Sequence, residues 1–226
     1  MALIQPFRSL APAGATSTQG FTFDVRDPMG YIDREGYSAD FVGDAHVPPP
    51  RLKAGDGDLV EVACPRRPGQ TVHDLLYTHF STWHSKSRLM PYFSCVNLDG
   101  RAEQKIGRRN IDWRYDPRIP VAYQLITHGI YGRAGDGLFS RGHMTRREDP
   151  NWGSREEAMV ADADTFHVTN ACPQVQSFNA PIWLALEDHI KQNSWNDDMR
   201  VSVMTGPVFT DDDPAYRCTK VDATGA

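Results

Sequence analysis

Two short runs in the second half of the chain hold the residues most able to do chemistry. The first is Ser140-Arg141-Gly142-His143. The second starts at Thr165-Phe166-His167-Val168-Thr169-Asn170-Ala171-Cys172-Pro173-Gln174 and continues through Asn179, Trp183, Leu186 and Glu187. A histidine titrates near neutral pH, so His143 can take a proton from water. The planar guanidinium of Arg141 can grip phosphate oxygens through its fork of donors. The Asn179 carboxamide oxygen is enough as a direct ligand for Mg²⁺, which takes one or two protein oxygens and keeps several waters. Glu187 could hold one of those waters. The set suits phosphodiester hydrolysis, which needs a base for the attacking water, countercharge for the phosphorane and a neutralised leaving oxygen.

Taken singly, each residue has a plainer explanation. A lone histidine after Arg-Gly is usually a satisfied or surface residue. Asn179 sits near a helix start, where Asn commonly caps. Glu187 would ordinarily be a solvated helix residue, and Trp183 a core residue. The joint pattern carries the functional reading. A zinc hydrolase using His143, His167 and His189 is the remote alternative, since spacings of 24 and 22 residues match no usual zinc motif.

These residues need elements to hold them. Met90 to Val96 reads as a strand, followed by a turn at Asn97-Leu-Asp-Gly100. Val72 to Phe80 reads as a strand or short helix, and Val121 to Ile126 as a short element. Gly129 to Gly137 is a glycine-rich loop leading into the first run. Ser154 to Asp162 has helical composition, with Ser154 and Glu157 spaced as a capping box. Phe166 to Thr169 starts the second run as a strand. Asn179 to about Lys191 reads as a helix, with Asn179, Trp183, Leu186, Glu187 and Ile190 on one face and Pro181 in the first turn. Arg200 to Phe209 is a further strand. Residues 1 to 50 read as an extended arm, closed by Pro48-Pro49-Pro50, with Tyr31 to Tyr37 able to dock on the core. The core begins near Leu52. The order implies an α+β fold with antiparallel strands, without alternating βαβ units.

Composition bounds the rest. The 226 residues, 40% hydrophobic and 23% charged, suit one ordinary globular domain with or without an arm. No apolar run is long enough to span a membrane. The first residues lack a secretory signal, so the expected location is cytoplasmic, or outside the cell by another route. Cys64, Cys95, Cys172 and Cys218 form no C-x-x-C pair and read as buried thiols. Net charge is −5. Arginines and lysines nevertheless gather at Arg101, Lys105, Arg108, Arg109, Arg114 and Arg118, and again at Arg133, Arg141, Arg146 and Arg147. That suggests a local basic surface able to attract a polyanion.

Arg141-Gly142-His143, then Asn170, Pro173 and Gln174, then Asn179, Trp183, Leu186 and Glu187, in this order and spacing, resemble the DNA/RNA non-specific endonuclease family. Its members include nucleases of the Serratia and endonuclease G type. Thr205-Gly206-Pro207-Val208 matches the family's following strand, and Tyr92 to Gly100 the strand that opens its core. The resemblance covers roughly residues 75 to 215. It implies a ββα-metal (His-Me finger) core, an antiparallel sheet flanked by helices, within a domain spanning residues 51 to 226. It implies His143 as general base, Asn179 as Mg²⁺ ligand (Mn²⁺ as a substitute), and Arg141 and Glu187 in support. Asn170 and Gln174 would be second-layer or substrate contacts, and Arg88 a further phosphate-binding arginine. The implied substrates are DNA and RNA, cut to leave 5′-phosphates. A homodimer is also implied. Three departures stand out. Ser140 replaces the usual Asp, so the alternative is a weak or inactive relative that binds nucleic acid or protein. The chain stops soon after Thr205-Gly206-Pro207, where members usually continue, so it is a short form or a fragment. The arm lies outside the common core, with Arg34-Glu35-Gly36-Tyr37 similar to a leader in nucleases joined to other domains. It is expected to restrain the nuclease or tether a regulatory partner.

Overall fold

The computed structural model describes residues 21–23, 27–53, 55–107, 111–125, 131 and 139–213. In chain order the strands among them are β1 (Phe21–Phe23), β2 (Asp74–Leu76), β3 (Phe80–His84), β4 (Pro91–Asp99), β5 (Trp113–Tyr115), β6 (Ser140–His143), β7 (Ala171–Gln174) and β8 (Arg200–Thr205). The α-helices are α1 (Arg155–Asp164) and α2 (Leu184–Asn196). β2, β3, β4 and β8 form an antiparallel sheet in that order. β6 and β7 form a separate antiparallel pair, and β1 lies parallel to β5. This is an α+β arrangement with an antiparallel sheet and helices, as the sequence implies. No helix of the described residues is long and apolar enough to cross a membrane.

The single element read from Val72 to Phe80 is in fact two strands joined by a tight turn. Tyr77 N–H donates to the Phe80 carbonyl at 2.9 Å, and His79 takes a left-handed φ of 67°. That conformation is costly for a residue with a Cβ. The His79 ring is held in place by Pro150 O at 2.8 Å, by Glu157 at 3.0 Å and by stacking on Trp152. The turn expected at Asn97-Leu-Asp belongs to β4, because Arg200, Val201 and Ser202 of β8 pair with Asp99, Leu98 and Asn97. The chain turns only at Gly100, where a Cβ would lie 2.1 Å from the Ser194 carbonyl oxygen. β8 stops at Thr205, short of Phe209, since Gly206-Pro207 cannot extend a ladder. Of the element read at Val121 to Ile126, a 3₁₀ turn covers Val121–Tyr123, and Ile126 lies outside the described residues. So does most of the Gly129–Gly137 loop.

Helix α1 has the expected capping box. Ser154 Oγ accepts from Glu157 N at 3.1 Å, and the Glu157 carboxylate accepts from Ser154 N at 3.3 Å. The strand read at Phe166 to Thr169 is displaced. His167 makes one bridge to Arg114, Val168–Asn170 form a 3₁₀ turn, and the strand follows as β7.

Two apolar clusters fill the interior. Val60, Val62, Leu75, Tyr77, Phe80, Val96 and Ile119 form one with Tyr31. Trp113, Tyr115, Leu125, Tyr131, Val168 and Ala171 form the other. Tyr31 shows that residues after Asp27 dock on the core, as their aromatic content suggests. It is 1% exposed, and its hydroxyl lies 2.8 Å from His167 Nε2. His167 Nδ1 contacts the Asp164 carbonyl at 2.7 Å, and a carbonyl only accepts, so Nδ1 carries the proton and Nε2 accepts from Tyr31. Nearby, Arg34 pairs with Asp164 at 2.8 Å. Arg118 pairs with Asp116 at 2.7 Å and lies 4.1 Å from the Tyr31 ring centre. These buried ions are paired and hydrogen-bonded, as burial requires. Cys64, Cys95 and Cys172 are buried free thiols, and Cys218 lies outside the described residues.

Candidate active site

The β6–β7 pair sets Arg141 opposite Pro173, Gly142 opposite Cys172 and His143 opposite Ala171. Gly142 is required here. A Cβ on it would stand 2.1 Å from Gln174 Cδ, because the Gln174 side chain folds back over the strand. Gln174 Oε1 is buried and finds no hydrogen-bond partner among the described residues. His143 packs against Trp113 at 4.7 Å and Phe166 at 5.3 Å between ring centres. These rings strip water from the imidazole. Burial, reinforced by the Arg147 charge and opposed by Asp162, pushes the His143 pKa down to about 4. The ring is therefore neutral at pH 7. Its Nε2 is buried with no partner among the described residues. The Arg141 guanidinium lies 5.5 Å from the Tyr131 ring centre. Burial lowers its pKa, with Tyr131 and Tyr115 opposing, and an arginine stays charged nonetheless.

Asn179 does not cap a regular helix. It lies in a single π-helical turn, Phe178–Trp183, which contains Pro181 and runs into α2. Such turns commonly mark functional positions. The one-face reading based on a 3.6-residue period therefore breaks at its start, and Leu186 is 48% exposed. The Asn179 carboxamide is half-buried and makes no hydrogen bond to the described residues. Burial raises Glu187 to about 6, against the lowering charge of Arg146. Asp149, in the loop after His143, is raised by burial to about 7, with Arg146 again opposing and Glu187 adding to the rise. Arg146 thus acts on both Glu187 and Asp149.

Of the two roles expected for Asn170, its position fits the second-layer one, and Arg88 is engaged within the protein. Asn170 is fully buried. Its Oδ1 accepts from Thr145 N at 2.8 Å, and its Nδ2 donates to Thr145 O at 2.9 Å and Thr165 O at 3.0 Å. With its amide spent on backbone, it fixes the loop after His143. Arg88 donates to Thr210 O at 2.8 Å and to Asp213 at 3.1 Å, so it is engaged by the segment after β8. The zinc alternative fails on geometry. Both nitrogens of His167 are used by Tyr31 and Asp164, His189 bonds Asn193, and no group of three His, Cys, Asp or Glu among the described residues could hold a metal. The basic surface is also thinner than expected, since Arg118, Arg146 and Arg147 are paired with Asp116, Asp188 and Asp162. Arg108, Arg109 and Arg133 lie outside the described residues. The sequence reading missed Trp113 and Phe166 as walls for His143. The alternation of Trp113 and Tyr115 around Arg114 was the available signal.

The donor set can be tested against a metal. Asn179 and Glu187 offer only hard oxygens, and one or two such ligands match a hydrated Mg²⁺. Cys172 is buried and protonated, with its pKa pushed up, and offers no thiolate.

Comparison with known proteins identifies a family and a fold. The family described as DNA/RNA non-specific endonuclease matches residues 56–224. The chain is 36% identical over 199 residues to the uncharacterized protein y4fB of Sinorhizobium fredii, covering 84% of this chain and 29% of that one. It is 32% identical over 102 residues to the mitochondrial endonuclease G of Homo sapiens, covering 45% and 31%. It is 27% identical over 142 residues to the mitochondrial nuclease of Saccharomyces cerevisiae, covering 61% and 40%. The chain thus spans under half the length of these relatives. A solved structure of EndoG complexed with EndoGI has the same fold, at a TM-score of 0.51 and 22% identity, over 65% of this chain and 59% of that one.

Proposed function

The chain belongs to the DNA/RNA non-specific endonuclease family, and we propose that it hydrolyses DNA and RNA phosphodiesters with His143 as general base. The observation that carries the reading is the His143 imidazole, neutral at working pH, with a buried Nε2 that no described residue occupies. A neutral imidazole can take the proton of an attacking water without first losing its own. Arg141, one residue beyond Gly142 on the same strand, holds a non-bridging phosphate oxygen and offsets its charge. Asn179 would hold a divalent metal ion directly and Glu187 through water. Mg²⁺ held there would supply positive charge to the phosphoryl oxygens and the leaving oxygen. The Trp113 and Phe166 rings exclude bulk water behind the base. Water attacks phosphorus in line with the P–O3′ bond as His143 takes its proton; that bond breaks, O3′ leaves and takes a proton to become a 3′-hydroxyl, and the phosphate stays on the 5′ oxygen. A site built around one phosphate reads no bases and need not distinguish ribose from deoxyribose. Ser140 contributes no carboxylate, and its hydroxyl donates to Gln176 Oε1.

The test is digestion of plasmid DNA and of a structured RNA with Mg²⁺, with Mn²⁺ and with EDTA. Loss of both substrates under either metal, arrested by EDTA, is the expected result. Intact substrates under both metals, with binding retained, would replace the reading by that of a nucleic-acid-binding relative.

A further inference from the structure

The helix that follows Asn179 and carries Glu187 is not held by an apolar face. Ser194 is the one buried residue of α2, while Leu184 and Leu186 are exposed. Its far end is pinned, since Ser194 sits against Gly100 at the end of β4 and Ser194 Oγ donates to Met199 O at 3.0 Å. Its near end meets the loop after His143 through charge. Arg146 Nη2 lies 2.6 Å from Asp188 Oδ1 and 3.5 Å from Glu148 Oε2. One turn on, Lys191 Nζ lies 2.6 Å from Glu148 and 2.9 Å from Glu103. Asp188 and Lys191 are three residues apart, so they share a face of α2. The loop is anchored at its start, where Asn170 bonds both backbone groups of Thr145. Arg146 is only 13% exposed, so this pair is less screened by salt than a surface pair.

We infer that Arg146 is a positioning residue, fixing the near end of α2, and with it Glu187, against the strand that carries His143. The inference rests on the proposed roles of His143 and Glu187. A displacement of about 1 Å between catalytic groups can lower turnover ~100-fold. Electrostatic attachment of one end and packing of the other make α2 a lever whose angle Arg146 sets.

The test combines amide hydrogen exchange with steady-state cleavage of a single-stranded oligonucleotide under Mg²⁺, in Arg146→Met, Arg146→Lys, Asp188→Asn and the double variant Arg146→Met/Asp188→Asn. In Arg146→Met, the first two turns of α2 should exchange faster while β4 stays protected. Turnover kcat should fall about 10- to 100-fold with KM little changed. Arg146→Lys, which keeps the charge, should retain most of the activity. The double variant should be no worse than the poorer single one, because both remove one contact. Asp188 is half-exposed, so its variant keeps the test open if Arg146→Met folds poorly. Unchanged exchange and kcat in Arg146→Met and Asp188→Asn overturn the inference, as does a rise in KM at constant kcat. Were the unaltered protein inactive with Mg²⁺, the nuclease reading would fall, and the exchange data would still decide whether Arg146 holds α2.

Discussion

The Gln174 side chain occupies the space a Cβ on Gly142 would need, with its Cδ 2.1 Å from that position. The glycine between Arg141 and His143 is thus explained by a neighbour on the paired strand. Gly142→Ala should displace Gln174 or bend β6, with a destabilisation of ~1–3 kcal/mol and loss of most activity. Adding Gln174→Ala should recover part of the stability, as read by the urea unfolding midpoint. No recovery would mean that Gly142 answers to the backbone alone.

Asn170→Ala removes three hydrogen bonds to backbone groups of Thr145 and Thr165. Leaving buried groups unpaired costs ~1–3 kcal/mol each, though the losses are not additive. The variant should be destabilised by at least ~2 kcal/mol, with KM little changed. A stable Asn170→Ala with weakened substrate binding would restore the view that it contacts nucleic acid.

Tyr31→Phe tests how firmly the segment before residue 50 belongs to the core. It removes the hydroxyl that donates to His167 Nε2 and should cost ~1–2 kcal/mol. Thermal unfolding checks this. An unchanged melting temperature would mean the segment rests on the core without supporting it.

Acid should destabilise the protein. Burial pushes His84, His143 and His167 each down to about 4. A histidine depressed in the folded state contributes stability that is present above its ordinary 6.5 and lost as pH falls through 4. Asp149 and Glu187 act oppositely, since their folded values are raised to about 7 and about 6. Their contribution is present at low pH and lost as pH rises through those values. Three histidines outweigh two carboxylates, so urea midpoints of the metal-free protein should fall between pH 7 and pH 4.5. His84 lies outside the site, with Nε2 2.8 Å from Tyr123 O. His84→Asn should flatten that fall by up to ~3 kcal/mol. An unchanged slope would show that His84 titrates normally.

What could be read from the chain was local. Ser154 and Glu157 form their capping box within one turn, so the α1 boundary was legible. Arg141-Gly142-His143 and Asn170, Pro173 and Gln174 were legible through their resemblance to the endonuclease family, while the β6–β7 pairing that brings them together was not. The extent of β4 was not, because Asn97-Leu-Asp-Gly has turn composition and its strand pairing comes from β8, a hundred residues later. The π turn around Asn179 carries no periodicity of its own, and Pro181 also suited an ordinary first helical turn. Asn170 belongs to the motif as the residue that shapes the loop behind His143, and only its three hydrogen bonds separate that role from substrate contact. Arg146 looked like one cation among many, since its pairing with Asp188 exists only in the folded chain.

The most direct measurement is the single-turnover cleavage rate of a DNA oligonucleotide, with saturating Mg²⁺ at pH 7, by the unaltered protein and by His143→Ala. General-base catalysis is worth ~10²–10⁴ in rate. A loss of that size, with circular dichroism and DNA affinity unchanged, is the predicted result. A His143→Ala rate within threefold of the unaltered protein would contradict the assignment of the base, whatever the metal does.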